Sequence, residues 1–168
     1  MKLHKILETD RLIIRALNLN DAGFNKEIVN TEGWISNIGD RNIRTISDAE
    51  NYIRSGPLKS YKENNFGMWL LEEKIHKLPV GMCGLIKRPG LKNIDIGYAL
   101  LPEYYKKGYA LESAKAVLDY GKNSLEIAKI VAICNIDNHD SIKLLNKLGL
   151  HIEKKMLIDT NKEVYLLS

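Results

Sequence analysis

Apolar and polar positions recur along this chain in a few distinct ways, and each change of period marks an element. Residues 12–17 form a short apolar run, Leu-Ile-Ile-Arg-Ala-Leu, that reads as a strand stopped by Asn18, Asn20 and Asp21. Asp21 stands where an N-cap belongs, ahead of a helix over 21–30. The next stretch, with Gly33, Trp34, Gly39 and Asp40, reads as a loop. Ser47 followed by Glu50 makes a capping box for a helix reaching about residue 62, interrupted at Gly56-Pro57. Residues 66–71, 80–86 and 94–101 then predict three strands, with turns over 74–79 and at Arg88-Pro89-Gly90. Their short connections imply an antiparallel meander.

The period changes after residue 107. Ala110, Leu111, Ala114, Val117 and Leu118 lie at helical spacing within 108–124. Residues 129–134 predict a buried strand, and 140–148 a helix with Ile142, Leu144, Leu145 and Leu148 inward, ended by Gly149. Strands over 151–157 and 163–167 would close a hairpin at Asp159-Thr160-Asn161. Strictly alternating strands and helices would indicate a doubly wound parallel sheet. This order predicts instead an α+β fold, a mixed sheet of about seven strands with about four helices, in one domain spanning 1–168.

Composition narrows the class. With 45% hydrophobic and 27% charged residues the 168-residue chain is a globular mixture with enough length for a sizeable core. The net charge of +4 suits an anionic ligand, but acidic residues interrupt the basic ones and no block of like charge offers a nucleic-acid tail. Cys83 and Cys134 are far apart in apolar runs, as buried free thiols are, and the four histidines lack ligand spacing, so no metal is expected. No apolar stretch of membrane-spanning length occurs and the N-terminus lacks a leader-like core, which points to a cytoplasmic location.

The segment that carries chemistry runs from Leu100 to Ala110, Leu-Leu-Pro-Glu-Tyr-Tyr-Lys-Lys-Gly-Tyr-Ala. A strand ends, Pro102 blocks further pairing, and a loop opens directly into a helix. The first turn of a helix carries unpaired N–H groups and the positive end of the helix dipole, so it holds anions. Gly108 permits close approach of a ligand, the small Ala110 leaves the helix entrance open, and Lys106 and Lys107 add charge beside it. The natural guest is a phosphate or pyrophosphate. Neither a Walker loop nor a GxGxxG fingerprint is present.

Ile96-Gly97-Tyr98 through Ala110-Leu111-Glu112 resembles the central motif of the GNAT N-acetyltransferase superfamily, in particular its ribosomal-protein (RimJ/RimL-type) branch. Thr9-Asp10-Arg11-Leu12-Ile13-Ile14-Arg15 is similar to the opening strand of that branch, and Asn138-His139-Asp140-Ser141-Ile142 with Leu148-Gly149-Leu150 to its later elements. The resemblance implies a twisted sheet splayed between the fourth and fifth strands, with acetyl-CoA in the opening as co-substrate. It implies that the Leu100 backbone meets the pantetheine arm, that the amides of Lys106, Lys107, Gly108, Tyr109 and Ala110 hold the pyrophosphate, that Asn138 contacts the cofactor or orders its loop, and that Ser141 sits near the thioester sulfur. Two positions depart from the pattern. Tyr105 stands where an Arg or Gln is common, and Leu145 stands where many relatives carry a proton-donating tyrosine, so Ser141 is the remaining hydroxyl.

The expected reaction is direct transfer of an acetyl group to a primary amine: a peptide or protein N-terminus, or a small amine. An amine attacks only when neutral, and reaching that state at neutral pH costs about 1–1.4 kcal/mol for an α-amine but about 4.6 kcal/mol for lysine. Asp95 on the fourth predicted strand is the best-placed acid for proton removal, and Trp34 the best candidate for an acceptor contact. A ping-pong route through a cysteine is disfavoured because neither adjoins the cofactor motif in sequence. A non-catalytic acyl-CoA sensor would share the same loop, and a homodimer is compatible with the pattern.

Overall fold

The computed structural model describes residues 4–158 and 162–168. Eight strands form one sheet in the order β1-β2-β3-β4-β5-β6-β8-β7. In chain order the elements are β1 (Lys5–Glu8), β2 (Leu12–Arg15), α1 (Ala22–Val29), α2 (Glu32–Asn37), α3 (Ile46–Ile53), α4 (Lys59–Asn64), β3 (Met68–Glu73), β4 (Pro79–Ile86), β5 (Ile94–Leu100), α5 (Tyr109–Asn123), β6 (Ile130–Asn135), α6 (His139–Lys147), β7 (Ile152–Ile158) and β8 (Lys162–Leu167). Strands β1 to β5 pair antiparallel in succession, so the expected meander is present. The expected turn at 159–161 lies outside the described residues.

Side-chain alternation on the strands sends apolar residues to both faces of the sheet, and helices cover each. On one face Cys83, Leu85, Ile96 and Leu100 pack with Ala114 and Val117 of α5 and Leu145 of α6. On the other, Leu70 and Met82 pack with Phe24 and Ile28 of α1 and Ala49 and Ile53 of α3.

The structure corrects several local expectations. It adds β1, whose mixed sequence Lys-Ile-Leu-Glu carries no run of apolar residues, so the sheet has eight strands rather than seven. The region around Trp34 is the short helix α2, capped by Thr31 Oγ1 accepting from the Trp34 N–H at 3.3 Å, rather than a loop. Thr45 with Asp48, not Ser47 with Glu50, makes the capping box of α3. The expected interruption at Gly56-Pro57, by contrast, is present. A π-turn over Arg54–Leu58 absorbs the proline, which has no N–H to donate, and the helix continues as α4. Asp21 precedes α1 without capping it, because its carboxylate accepts two bonds from Arg15 at 2.9 Å and one from the Asn18 N–H at 2.8 Å.

What positions the site is the junction of β5 and β6, the fourth and fifth strands of the sequence reading. They pair parallel only at Ile94–Ile130 and Asp95–Val131 and then separate. The Leu101 N–H bonds to Val80 on the β4 side at 3.0 Å. By strand alternation, the backbone groups of Tyr98 and Leu100 therefore face the opening.

Candidate functional site

A cavity of about 1220 Å³ occupies the splay and extends toward α2, α4 and the β4–β5 turn. Leu100, Lys106, Gly108, Ala110, Asn138 and Ser141 line it. Most of the residues singled out in the sequence thus meet at one opening.

On its β5 side, a 3₁₀ turn over Pro102–Tyr104 leads into the loop before α5. Lys106 and Gly108 both adopt positive φ, 59° and 82°. The helix starts from Gly108 with no side-chain cap, so the first N–H groups of α5 are left for a guest. Lys107 has its carbonyl bonded by Arg11 Nη1 at 2.9 Å, while its ammonium lies 5.3 Å over the Tyr104 ring. Tyr109 packs under the Arg11 guanidinium at 4.4 Å. One turn into α5, Glu112 accepts from Thr9 Oγ1 at 2.5 Å, from the Arg11 N–H at 2.9 Å and from Arg11 Nε at 2.6 Å. Burial opposes ionisation of Glu112, but these bonds prevail and hold its carboxyl below the ordinary glutamate range. The opening strand and the central motif, distant in sequence, are one physical unit.

On the β6 side, Asn138 caps α6, its Oδ1 accepting from the Ser141 N–H at 3.1 Å, while its Nδ2 donates to Asn37 Oδ1 at 3.0 Å. Both ends of this side chain are engaged in ordering the turn. Asn135 Nδ2 also donates to the Asn37 carbonyl at 3.0 Å, so the end of α2 is tied to the β6–α6 turn. Nothing in sequence spacing signalled this asparagine cluster. Ser141 Oγ lies 2.7 Å from Tyr98 Oη, a contact across the opening that joins α6 to β5. The period of β5 did carry a signal for Tyr98, since it shares a face with Ile96 and Leu100. Leu145 is core, 1% exposed.

Asp95 is 2% exposed at the last β5–β6 pair. Arg88 Nη2 bonds its Oδ2 at 3.0 Å, and its buried Oδ1 has no partner among the described residues. Burial raises its pKa against the opposing effect of Arg88. Asp95 and Trp34 both line the cavity. Trp34 is 5% exposed with its ring in the core, yet its indole N–H is unpartnered. Asp40, past the end of α2, pairs with Arg44. A Cβ on Gly33 of α2 would stand 2.5 Å from the Tyr105 hydroxyl, so the loop before α5 rests directly on this helix.

Both cysteines are buried and free. Cys134, though distant from the cofactor motif in sequence, reaches the cavity wall. Burial raises the pKa of both thiols, that of Cys83 to about 12, which leaves each a poor nucleophile. No group of three or more metal-ligating side chains is present among the described residues. None of the described helices is long and apolar enough to cross a membrane.

An eight-stranded mixed sheet split between two parallel strands, with helices on both faces and a cavity in the split, is the GNAT acetyltransferase fold. Comparison with known proteins agrees. The model of the acetyltransferase (GNAT) domain matches residues 11–151. The uncharacterized N-acetyltransferase YoaA of Bacillus subtilis (strain 168) is 30% identical over 149 residues, 88% of this chain and 84% of the relative. The chain belongs to the GNAT acetyltransferase family. The ribosomal-protein-S5-alanine acetyltransferase of Vibrio fischeri superposes with a TM-score of 0.80 at 19% identity, covering 96% of this chain and 93% of that one. The spermidine N(1)-acetyltransferase of Escherichia coli (strain K12) is 36% identical over 56 residues, 33% of this chain and 30% of the relative.

Proposed function

We propose that the protein transfers the acetyl group of acetyl-CoA directly to a primary amine whose remainder carries hydrogen-bond-accepting oxygen, as a peptide N-terminus or amino-acid-like small amine does. The observation that carries this reading is the uncapped start of α5 opening on the β5–β6 splay. The amides of Lys106 to Ala110 hold the pyrophosphate there, with the Lys106 and Lys107 charges alongside. The inward-facing backbone of Leu100 continues the sheet's hydrogen bonding to the pantetheine arm. Asn138 serves by ordering the turn that presents Ser141, whose hydroxyl faces the departing sulfur. Asp95, with a free carboxylate oxygen and a raised pKa, takes the amine proton.

The acceptor class rests on two features of the cavity wall. From α2 to the β4–β5 turn it carries Arg41, Lys59, Lys87 and Arg88 against Glu63 and Asp95, a balance that repels a polycation. The Trp34 N–H has no partner among the described residues; an acceptor oxygen that displaces the atoms now covering it would complete it, and a protonated polyamine has no oxygen to give. Both features favour the α-amine over spermidine, in line with the lower cost of neutralising an α-amine.

Thermal unfolding with and without acetyl-CoA tests the cofactor site. A ligand specific to the folded state raises Tm, and Gly108→Glu should abolish the rise. Gly108→Ala imposes the same strain at positive φ without the carboxylate and should keep it. An undiminished rise in Gly108→Glu refutes the loop assignment. Thiol release with alanyl and seryl peptides, free amino acids, lysine and spermidine then tests the acceptor. Faster turnover of spermidine than of the peptides overturns the acceptor class, and cofactor binding without turnover of any amine supports a sensor instead.

A further inference from the structure

The contact between Tyr98 and Ser141 calls for a reason beyond packing. Ser141 is in the first turn of α6, where a serine often satisfies backbone, but Asn138 already supplies that bond to the Ser141 N–H. The Ser141 hydroxyl is therefore free of capping duty. It meets Tyr98 Oη at 2.7 Å, and both residues line the cavity. They belong to opposite lips of the splay, 43 residues apart in sequence.

Two proton arrangements satisfy this contact. If Ser141 donates to Tyr98, its proton is turned away from the opening. If Tyr98 donates to Ser141, the Ser141 proton is left to point at a third atom, and an oxygen that accepts a hydrogen bond becomes a stronger donor in turn. Burial, opposed by the bond to Ser141, raises the Tyr98 pKa, so the phenol keeps its proton across the neutral range and remains a donor. A tyrosine hydroxyl is thus present at this opening although α6 has Leu145 where many relatives carry theirs.

We propose that Tyr98 is a positioning residue for departure of the thiol, its hydroxyl donating to Ser141 Oγ and thereby aiming the Ser141 proton at the thioester sulfur. The inference rests on the reading of the splay as the acetyl-transfer site. In the step concerned the amine nitrogen forms its bond to the acetyl carbon and loses one proton, the carbon–sulfur bond breaks, and the sulfur gains one proton. The Ser141 hydroxyl hydrogen-bonds to the sulfur as negative charge develops on it and keeps its own proton; Asp95 takes the amine's proton and returns it to water, and the departing thiolate takes one from water, so the step balances. Tyr98 keeps its own proton throughout.

Tyr98→Phe removes the hydroxyl and keeps the ring. Steady-state kinetics with acetyl-CoA and the fastest amine of the panel, on Tyr98→Phe, Ser141→Ala and the double variant, test the assignment. Ser141→Ala should lower kcat by about 10²-fold. Tyr98→Phe should lower it by roughly tenfold with the acetyl-CoA KM and Tm unchanged, and the double variant should be no slower than Ser141→Ala, as for groups acting as one unit. A Tyr98→Phe enzyme at wild-type kcat, or losses that multiply in the double variant, overturn the inference while leaving the transfer site intact. A raised acetyl-CoA KM and a lowered Tm in Tyr98→Phe, without a fall in kcat, assign the tyrosine to packing and also overturn it. Wild-type kcat in Ser141→Ala removes the donor through which Tyr98 would act, and no thiol release by the unaltered enzyme with any amine refutes the underlying reading instead.

Discussion

Asp95 shows how a single residue is set apart by its surroundings. A buried carboxylate oxygen without a partner costs about 1–3 kcal/mol, so a fold tolerates one where a proton or a ligand completes it. The pKa is raised, mainly by burial, and the acid is ionised only above that raised value. As a proton acceptor it fails as pH falls through that value, so kcat/KM for the acceptor should decline there. Asp95→Asn should lower kcat/KM at pH 7 by about 10²-fold. The deficit should shrink toward pH 9, where an α-amine with pKa near 8 is already neutral. A carboxyl with a raised folded pKa favours the folded state at low pH and opposes it as pH rises through that pKa, so the variant's Tm at neutral pH should not fall below wild type. A pH-independent loss would point to a positional role. Sequence singled out Asp95 through its place on a strand; the period of β5 placed Tyr98 on the face of Ile96 and Leu100 but not its contact with Ser141, and no local spacing encodes the bond from Arg88.

Among the elements, the start of α5 was the most legible, because Gly108 and the apolar period of 110–118 are local signals. The contact holding it was legible only as a resemblance. Thr9 and Arg11 reach Glu112 from more than a hundred residues away. Glu112→Gln keeps the shape and removes the charge, and Arg11 also bonds the Lys107 carbonyl. The variant should therefore loosen the loop, raising the acetyl-CoA KM severalfold and costing about 1–3 kcal/mol of stability in denaturant unfolding. The carboxyl is held below its ordinary value, so its contribution is present above the unfolded pKa of about 4.3 and lost as pH falls through the folded value. Wild type and variant should converge in acid. The helices misread from sequence share a cause. In both, the turn before the helix rather than spacing alone decides which side chain reaches the N–H groups: Thr45 takes the place expected of Ser47, and Thr31 caps a helix where a loop was read. At Pro57 the local helix-breaking signal was legible, and the chain answers it with a π-helical segment between α3 and α4.

In the molecule as a whole, the opening between the fourth and fifth predicted strands followed from the resemblance, and the meander from connection length. The tie between α2 and the β6–α6 turn did not, since Asn37, Asn135 and Asn138 are each unremarkable alone. Eight strands share one sheet, yet the two halves meet through just two residue pairs. That narrow seam has a consequence for isotope labelling. Without ligand, the amides of Tyr98 and Leu100 should take up deuterium from solvent quickly, while those of Gly97 and Ala99, which face β4, are retained far longer. An every-other-residue pattern of uptake would run along β5, and saturating acetyl-CoA should erase it by slowing the fast members alone.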